Sequence, residues 1–225
     1  MDARRAAILD TIGVERFRSR APAAPAAPPA PALPGDDATL GWDGLAARVE
    51  GCARCGLEAT RTNTVFGVGD RAARWMIVGE APGAEEDRQG EPFVGRGGQL
   101  LNSMLRAAGF ERGHVFIANV LKCRPPGNRD PKPEEVRCCL PYLHRQIALL
   151  GPSLILCVGR IAAQSLLGVD TPIGQLRGRV HVLEPHGTPV VVTYHPAYLL
   201  RSPGEKRKAW ADLRLAMEVA RGRGA

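Results

Sequence analysis

The 225-residue chain is 44% hydrophobic and 24% charged, which fits one globular domain with an appendage. Its apolar runs are far too short to cross a bilayer, and Met1-Asp2-Ala3-Arg4-Arg5 opens no continuous apolar stretch of the secretory kind. Membrane-spanning and secreted classes are therefore set aside and the chain reads as soluble and cytoplasmic, while its formal charge of +7 points to a polyanionic partner, since a basic face attracts phosphate across a Debye length of about 8 to 10 Å.

Residues 1–20 read as an N-terminal arm of modest helical character, with Ile8, Ile12 and Phe17 as apolar contacts through which a protein partner would dock. Residues 21–38 read as a linker, because 21 to 34 are almost pure Ala and Pro, a composition that packs no core and favours extended chain. The folded domain is expected over 39–221. It begins with a helix near 39–50 and a cysteine-bearing loop, followed by a strand at 74–79 and a helix near 97–108 with Leu100, Leu101, Met104, Leu105 and Ala108 at helical spacing. A strand at 114–120, a helix at 133–149, a strand at 153–158 and a helix at 160–167 come next. Strands near 179–183 and 189–194 and a helix near 204–221 close the domain. Strands alternating with helices predict a mainly parallel sheet covered on both faces.

Such sheets bind ligands at the carboxyl ends of their strands, and three motifs fall there. Gly79-Glu80-Ala81-Pro82-Gly83-Ala84-Glu85-Glu86-Asp87 follows the first long strand, with Glu91-Pro92-Phe93-Val94-Gly95 close behind. Asn119 ends the second, ahead of Lys122-Cys123-Arg124-Pro125-Pro126-Gly127-Asn128-Arg129-Asp130-Pro131, and Tyr194-His195-Pro196-Ala197-Tyr198-Leu199-Leu200 follows the last. Basic residues gather at Lys122, Arg124, Arg129 and Lys132, at Arg177 and Arg179, and at Arg201, Lys206, Arg207 and Lys208.

Six cysteines, Cys52, Cys55, Cys123, Cys138, Cys139 and Cys157, need an explanation other than disulfides in a chain read as cytoplasmic. Cys52-Ala53-Arg54-Cys55 is a knuckle whose two thiolates can face one metal centre, and Cys123 with a cysteine of the 138–139 pair completes a set of four. At about 100° per residue, Val136, Cys139, Leu140, Leu143 and Ile147 share one helix face while Cys138 points nearly the opposite way, so Cys139 is preferred. Cys157, inside Leu154-Ile155-Leu156-Cys157-Val158, reads as a small buried hydrophobe. Four thiolates with no histidine at ligand spacing suit either zinc or a 4Fe-4S cluster. The long separation of Cys55 from Cys123 is unlike a compact zinc ribbon, but residue spacing alone leaves the metal open.

From about Cys52 to Met217 the chain resembles the family 4 uracil-DNA glycosylases, the iron-sulfur type within the uracil-DNA glycosylase superfamily. The resemblance rests, in order, on Gly79-Glu80-Ala81-Pro82-Gly83, Pro92-Phe93-Val94-Gly95, Asn119 with Lys122 to Arg129, His195-Pro196-Ala197-Tyr198-Leu199-Leu200, and the four-cysteine pattern. It implies a three-layer α/β/α sandwich, a 4Fe-4S cluster held by Cys52, Cys55, Cys123 and Cys139, and hydrolysis of the N-glycosidic bond of deoxyuridine in DNA. It matches Phe93, Asn119 and His195 to the uracil pocket, with Ala81 in its lining and Glu80, Glu86 and Asn128 as further active-site candidates. The expectation is a monomeric, nucleoid-associated enzyme of base excision repair acting on uracil-containing DNA.

Those residue types suit that chemistry. A flipped base needs a stacking platform, here Phe93; a donor and an acceptor on one amide, here Asn119, match O4 and N3–H of uracil; and a donor at O2, here His195, stabilises the departing anion. Ala81 stands where the best-known uracil-DNA glycosylases carry an Asp, which leaves Glu80, Glu86 or Asp87 to orient water, and Gly83 replaces a bulky aromatic, which leaves Glu86 as the wall against thymine. Arg124, Arg177 and Arg179 are expected on phosphate. The Pro125 to Gly127 and Pro196 to Leu200 segments are expected as DNA-contacting loops, with Leu199 and Leu200 as wedges for the vacated stack. A relative that captures uracil-DNA covalently through a His in a basic loop is the alternative; Arg177-Gly178-Arg179-Val180-His181 is short for such a loop.

Overall fold

The computed structural model describes residues 39–222; the expected arm and Ala/Pro linker lie outside the described residues. In chain order the main elements are α1 (Trp42–Glu50), β1 (Val68–Gly69), β2 (Trp75–Gly79), α2 (Ala84–Gln89), α3 (Arg96–Ala107), β3 (Phe116–Asn119) and α4 (Pro133–Leu150). They continue with β4 (Leu154–Val158), α5 (Arg160–Leu167), α6 (Ile173–Leu176), β5 (Val180–Leu183), β6 (Thr188–Thr193), α7 (Pro196–Arg201) and α8 (Lys206–Gly222).

The strands form one sheet in the order β1-β3-β2-β4-β6-β5. Its four central strands are parallel, and the short edge strands β1 and β5 run antiparallel. Strand residues alternate between two cores, as a period of two requires. Met76, Val78, Ala118, Ile155, Cys157, Val190 and Val192 face one layer built from α1, α4, α5 and α6. Trp75, Ile77, Ile117, Leu154, Leu156, Val158 and Val191 face the other, built from α3, α7 and α8. The chain is therefore the three-layer α/β/α sandwich expected. Among the described residues no helix is long and apolar enough to cross a membrane.

The chain leaves β2 for β3 on one side and later places β4 on the other, so the carboxyl end of β2 is a topological switch point where a crevice opens. Register fixes what meets there: Gly79 pairs with Asn119, and Val158 with Thr193 just before His195.

Four short elements depart from the sequence reading: β1, α2, α6 and α7. The Pro196 to Leu200 segment is helix and not loop, because His195 caps it, its Nδ1 accepting from the backbone N–H of Ala197 at 3.1 Å, and Pro196 supplies a preset first residue. In the same way the Glu86 side chain accepts from the Gly83 N–H at 3.1 Å and starts α2 inside the acidic motif.

Candidate active site and cysteine pocket

A cavity of about 520 Å³ opens at the switch point, lined in part by Glu80, Ala81, Gly83, Glu86, Phe93, Asn119, Asn128 and His195. All eight were singled out from the sequence, and three separate motifs bring them together. Sterics explain the glycines around them. A Cβ on Gly79 would lie 2.3 Å from Asn119 Oδ1 and 2.5 Å from Phe93 Cζ, and one on Gly98 would lie 1.8 Å from the Phe93 carbonyl oxygen. The close approach of Phe93 to Asn119 thus requires bare backbone at both places.

Phe93 adopts φ +54, a left-handed conformation for a bulky residue, at a strain of about 1 to 3 kcal/mol. Neighbours hold it there. Glu86 Oε1 accepts from the N–H groups of Val94 and Gly95, both at 3.0 Å. On the other side Arg112 donates to the carbonyls of Pro92 and Phe93, to Glu91 Oε1 at 3.0 Å and to Asn102 Oδ1 at 3.2 Å. Arg112 carried no sequence signal, since its partners are all brought to it by the fold. The Phe93 ring ends 5.7 Å from the His195 ring, the planes 28° apart.

The polar groups of the cavity are unevenly satisfied. Asn119 is 1% exposed and its Oδ1 has no hydrogen-bond partner. The His195 Nδ1 is occupied as an acceptor by Ala197 N–H, so a neutral ring carries its proton on Nε2. Burial, reinforced by Arg201, brings the His195 pKa down to about 4, with Glu86 opposing. Burial raises Glu80 to about 7, Asp130 adding to the shift and Arg160 opposing it. Glu86, by contrast, is spent on three backbone N–H groups. Asp87 is 3% exposed and accepts from the N–H groups of Thr62 and Asn63 at 2.9 and 3.3 Å, which removes it as a group to orient water.

The expected DNA contacts divide. Arg124 donates to Asn128 Oδ1 at 2.7 Å, joining the two ends of the loop that brings Asn128 to the cavity. Arg179 is exposed at the start of the β5 edge. Arg177 is a correction: its guanidinium is bidentate on Asp212, at 3.0 and 2.9 Å, bonds the Lys208 carbonyl at 2.6 Å and lies over the Tyr194 ring, so it is an internal strut. Leu199 is another, since it is 1% exposed and packs in the core beneath α7, whereas Leu200, the second wedge candidate, and Tyr198 are the large apolar residues of that helix left exposed, each at 37%. Arg96, at the N-terminus of α3, and Arg201 line the cavity mouth and were missed as site residues; an exposed arginine carries little signal until the fold shows what it borders. His181 lies on β5 with Nε2 2.7 Å from the Leu176 carbonyl and is not among the cavity's lining residues.

A second, smaller cavity is lined by Cys52, Cys55, Cys123, Cys138 and Cys139 with Val49, Arg54, Lys122 and Tyr142. The sulfurs come from the segment after α1, the loop after β3 and the face of α4. Three of the four expected ligands accept a hydrogen bond: Cys52 from Tyr142 Oη at 3.3 Å, Cys123 from Arg61 Nη1 at 3.0 Å, and Cys139 from Lys122 N–H at 3.1 Å. Arg61 also bonds the carbonyls of Cys52 and Glu50. Donors aimed at sulfur are what anionic thiolates require, and the six cysteines of the described residues form no disulfide. Among the described residues no three His, Cys, Asp or Glu side chains converge to hold a single metal ion. Cys157 is fully buried in β4.

Comparison with known proteins agrees with this geometry. Residues 66–214 match a family model described as the uracil DNA glycosylase superfamily. The chain is 44% identical over 183 residues to the Type-4 uracil-DNA glycosylase of Archaeoglobus fulgidus, covering 79% of this chain and 92% of that relative. It is 44% identical over 160 residues to the Type-4 uracil-DNA glycosylase of Thermotoga maritima, covering 70% and 82%. It is 32% identical over 149 residues to the Type-5 uracil-DNA glycosylase of Thermus thermophilus, covering 58% and 68%.

Proposed function

Since the chain belongs to the uracil DNA glycosylase superfamily, we propose that it excises uracil from DNA, hydrolysing the N-glycosidic bond of a flipped-out deoxyuridine to leave an abasic site. The observation that carries this reading is the unpaired Oδ1 of Asn119, buried beside the Phe93 ring. A buried acceptor without a partner is costly and is repaid when a ligand brings the donor. Uracil does so with N3–H, while the amide nitrogen of Asn119 donates to O4. Cytosine reverses both requirements, with an acceptor at N3 and an amino group at C4.

His195 supplies the third contact. As a neutral ring with its proton on Nε2 it donates to O2 of the base, where negative charge grows as the glycosidic bond lengthens. A donor already aimed there needs no reorganisation. Glu80, ionised above about pH 7, takes up or orients the water that attacks the sugar, with Asn128 beside it on the cavity wall. Glu86 acts as a positioning residue: it fixes the Phe93 platform and walls the cavity over Gly83, where its Oε2 comes within 2.7 Å of a Cβ position. Arg96 and Arg201 at the mouth, with Arg124 and Arg179 beyond it, receive the DNA backbone.

The cysteine set fits a 4Fe-4S cluster held by Cys52, Cys55, Cys123 and Cys139. Sulfurs drawn from three separate segments to one cavity, three of them already accepting hydrogen bonds, support that reading. The cluster would crosslink the α1 segment, the loop after β3 and α4, and so brace the loop that carries Asn128.

The test is release of free uracil from a uracil-containing oligonucleotide, with alkali to cleave the abasic sites. Turnover in excess of enzyme is expected. An SDS-stable protein–DNA adduct without turnover would identify a covalent binder instead.

A further inference from the structure

Lys122 is 1% exposed. Its Nζ donates to the Asn119 carbonyl at 2.8 Å and to Gln146 Oε1 at 2.7 Å, and Gln146 is itself held by donating to the Phe66 carbonyl at 2.9 Å. Both acceptors are neutral. Among the described residues no carboxylate lies within ion-pair distance of Lys122, whereas Arg112, Arg129, Arg160 and Arg177 each have one. An ammonium buried without a counter-ion is strongly unfavourable, so a lysine in this place asks where its anion is.

The neighbouring groups able to become anionic are sulfurs. Cys123 follows Lys122 in the chain, the Lys122 backbone N–H donates to Cys139 Sγ at 3.1 Å, and Lys122 shares the wall of the cysteine cavity. Four thiolates on an iron-sulfur cluster leave that cavity net negative, in a low-dielectric setting where charge acts strongly over a few ångströms.

Resting on the glycosylase reading above, we propose that Lys122 is the buried counter-cation of the cysteine site and the positioning residue that links it to base recognition. The cluster's charge keeps the ammonium in place. The ammonium holds the Asn119 carbonyl at the end of β3, and with it the side-chain amide that reads uracil. Glutamine or methionine would fill the same volume without supplying that charge.

The experiment uses the full-length, iron-loaded protein and two variants. Lys122→Met is expected to retain less iron per chain. Per iron-loaded molecule, its single-turnover uracil release should fall about 10- to 100-fold, the loss of a hydrogen bond from a charged donor, with affinity for uracil-free duplex unchanged. Full iron retention, or release at the wild-type rate, overturns the proposal. Gln146→Glu keeps the inference testable should the methionine variant not fold, because it places a carboxylate at the 2.7 Å contact and frees the lysine from its need for sulfur. The midpoint of Gln146→Glu relative to wild type should be higher in the chelated than in the iron-loaded protein, a difference in which the lost bond to the Phe66 carbonyl cancels; an equal difference in both states overturns the proposal. Absence of uracil release from loaded wild type would strike the glycosylase reading itself, leaving iron retention and unfolding midpoints to decide the role of the lysine.

Discussion

The two cavities treat their polar atoms in opposite ways. In the cysteine cavity three of the four expected ligand sulfurs already accept a hydrogen bond from the protein. In the base cavity Asn119 Oδ1 is buried and unpaired, and His195 Nε2 has no partner among the described residues. A site that satisfies its atoms before any reaction is built to hold shape, and one that leaves them unsatisfied is built to receive something. The difference also predicts how each responds to substitution, since removing a satisfied group costs stability whereas removing an orphan costs function alone.

The sharpest way to break the contrast is at His195. His195→Ala should reduce single-turnover uracil release about 100- to 1,000-fold, the scale of one lost donor to a developing anion, without a matching loss of affinity for DNA. A drop in affinity with an unchanged chemical step would move His195 from the reaction to DNA binding. Asn119→Leu is expected next, with release lowered about 10- to 100-fold through two lost contacts to the base. Its thermal unfolding should be unchanged or raised, because the buried orphan acceptor is gone. A marked loss of stability would show that Asn119 holds the fold and that its free oxygen is incidental.

Both residues were legible in the sequence because they end strands, and period and strand order suffice to bring strand ends together. The placement of Cys139 was legible for a related reason: helical phase put it on the buried face of α4, where the structure has it at 6% exposed. What escaped was everything decided by distant partners. Arg177 looked like a phosphate contact until the fold placed Asp212, 35 residues away, against it. Leu199 looked like a wedge because Pro196 suggests a loop, yet one capped turn of helix buries it. Arg112 and Lys122 gave no signal as positioning groups, since Pro92 and Phe93 reach Arg112, and Gln146 reaches Lys122, from distant parts of the chain.

On the satisfied side the expected effect is smaller and of the other kind. Tyr142→Phe deletes the hydroxyl that donates to Cys52 Sγ and leaves the buried ring in place. The folding equilibrium should weaken by about 1 kcal/mol, as for a single hydrogen bond, while uracil release per loaded molecule stays at the wild-type value. A selective fall in release would dissolve the distinction between the two cavities.

Glu80 belongs to both descriptions, and pH separates them. Its carboxyl is raised from 4.5 to about 7 by burial first and by Asp130 second. If the ionised form orients water, single-turnover release rises with pH to a plateau above about 7, falling toward tenfold per unit on the acid side. His195, at about 4, stays neutral across that range and contributes no slope, and Glu80→Gln should flatten the profile. Stability runs the other way. Between 4.5 and about 7 the folded chain keeps a proton that the unfolded chain has released, so stability declines as pH rises through that window and the loss is complete above about 7. Glu80→Gln should therefore unfold at a higher temperature than wild type at pH 8 and at the same temperature at pH 4, read as the difference between the two proteins so that other titrating groups cancel. A flat wild-type rate profile would remove Glu80 from the water step, and an unchanged stability difference between the two pH values would show that its carboxyl is not buried as the cavity places it.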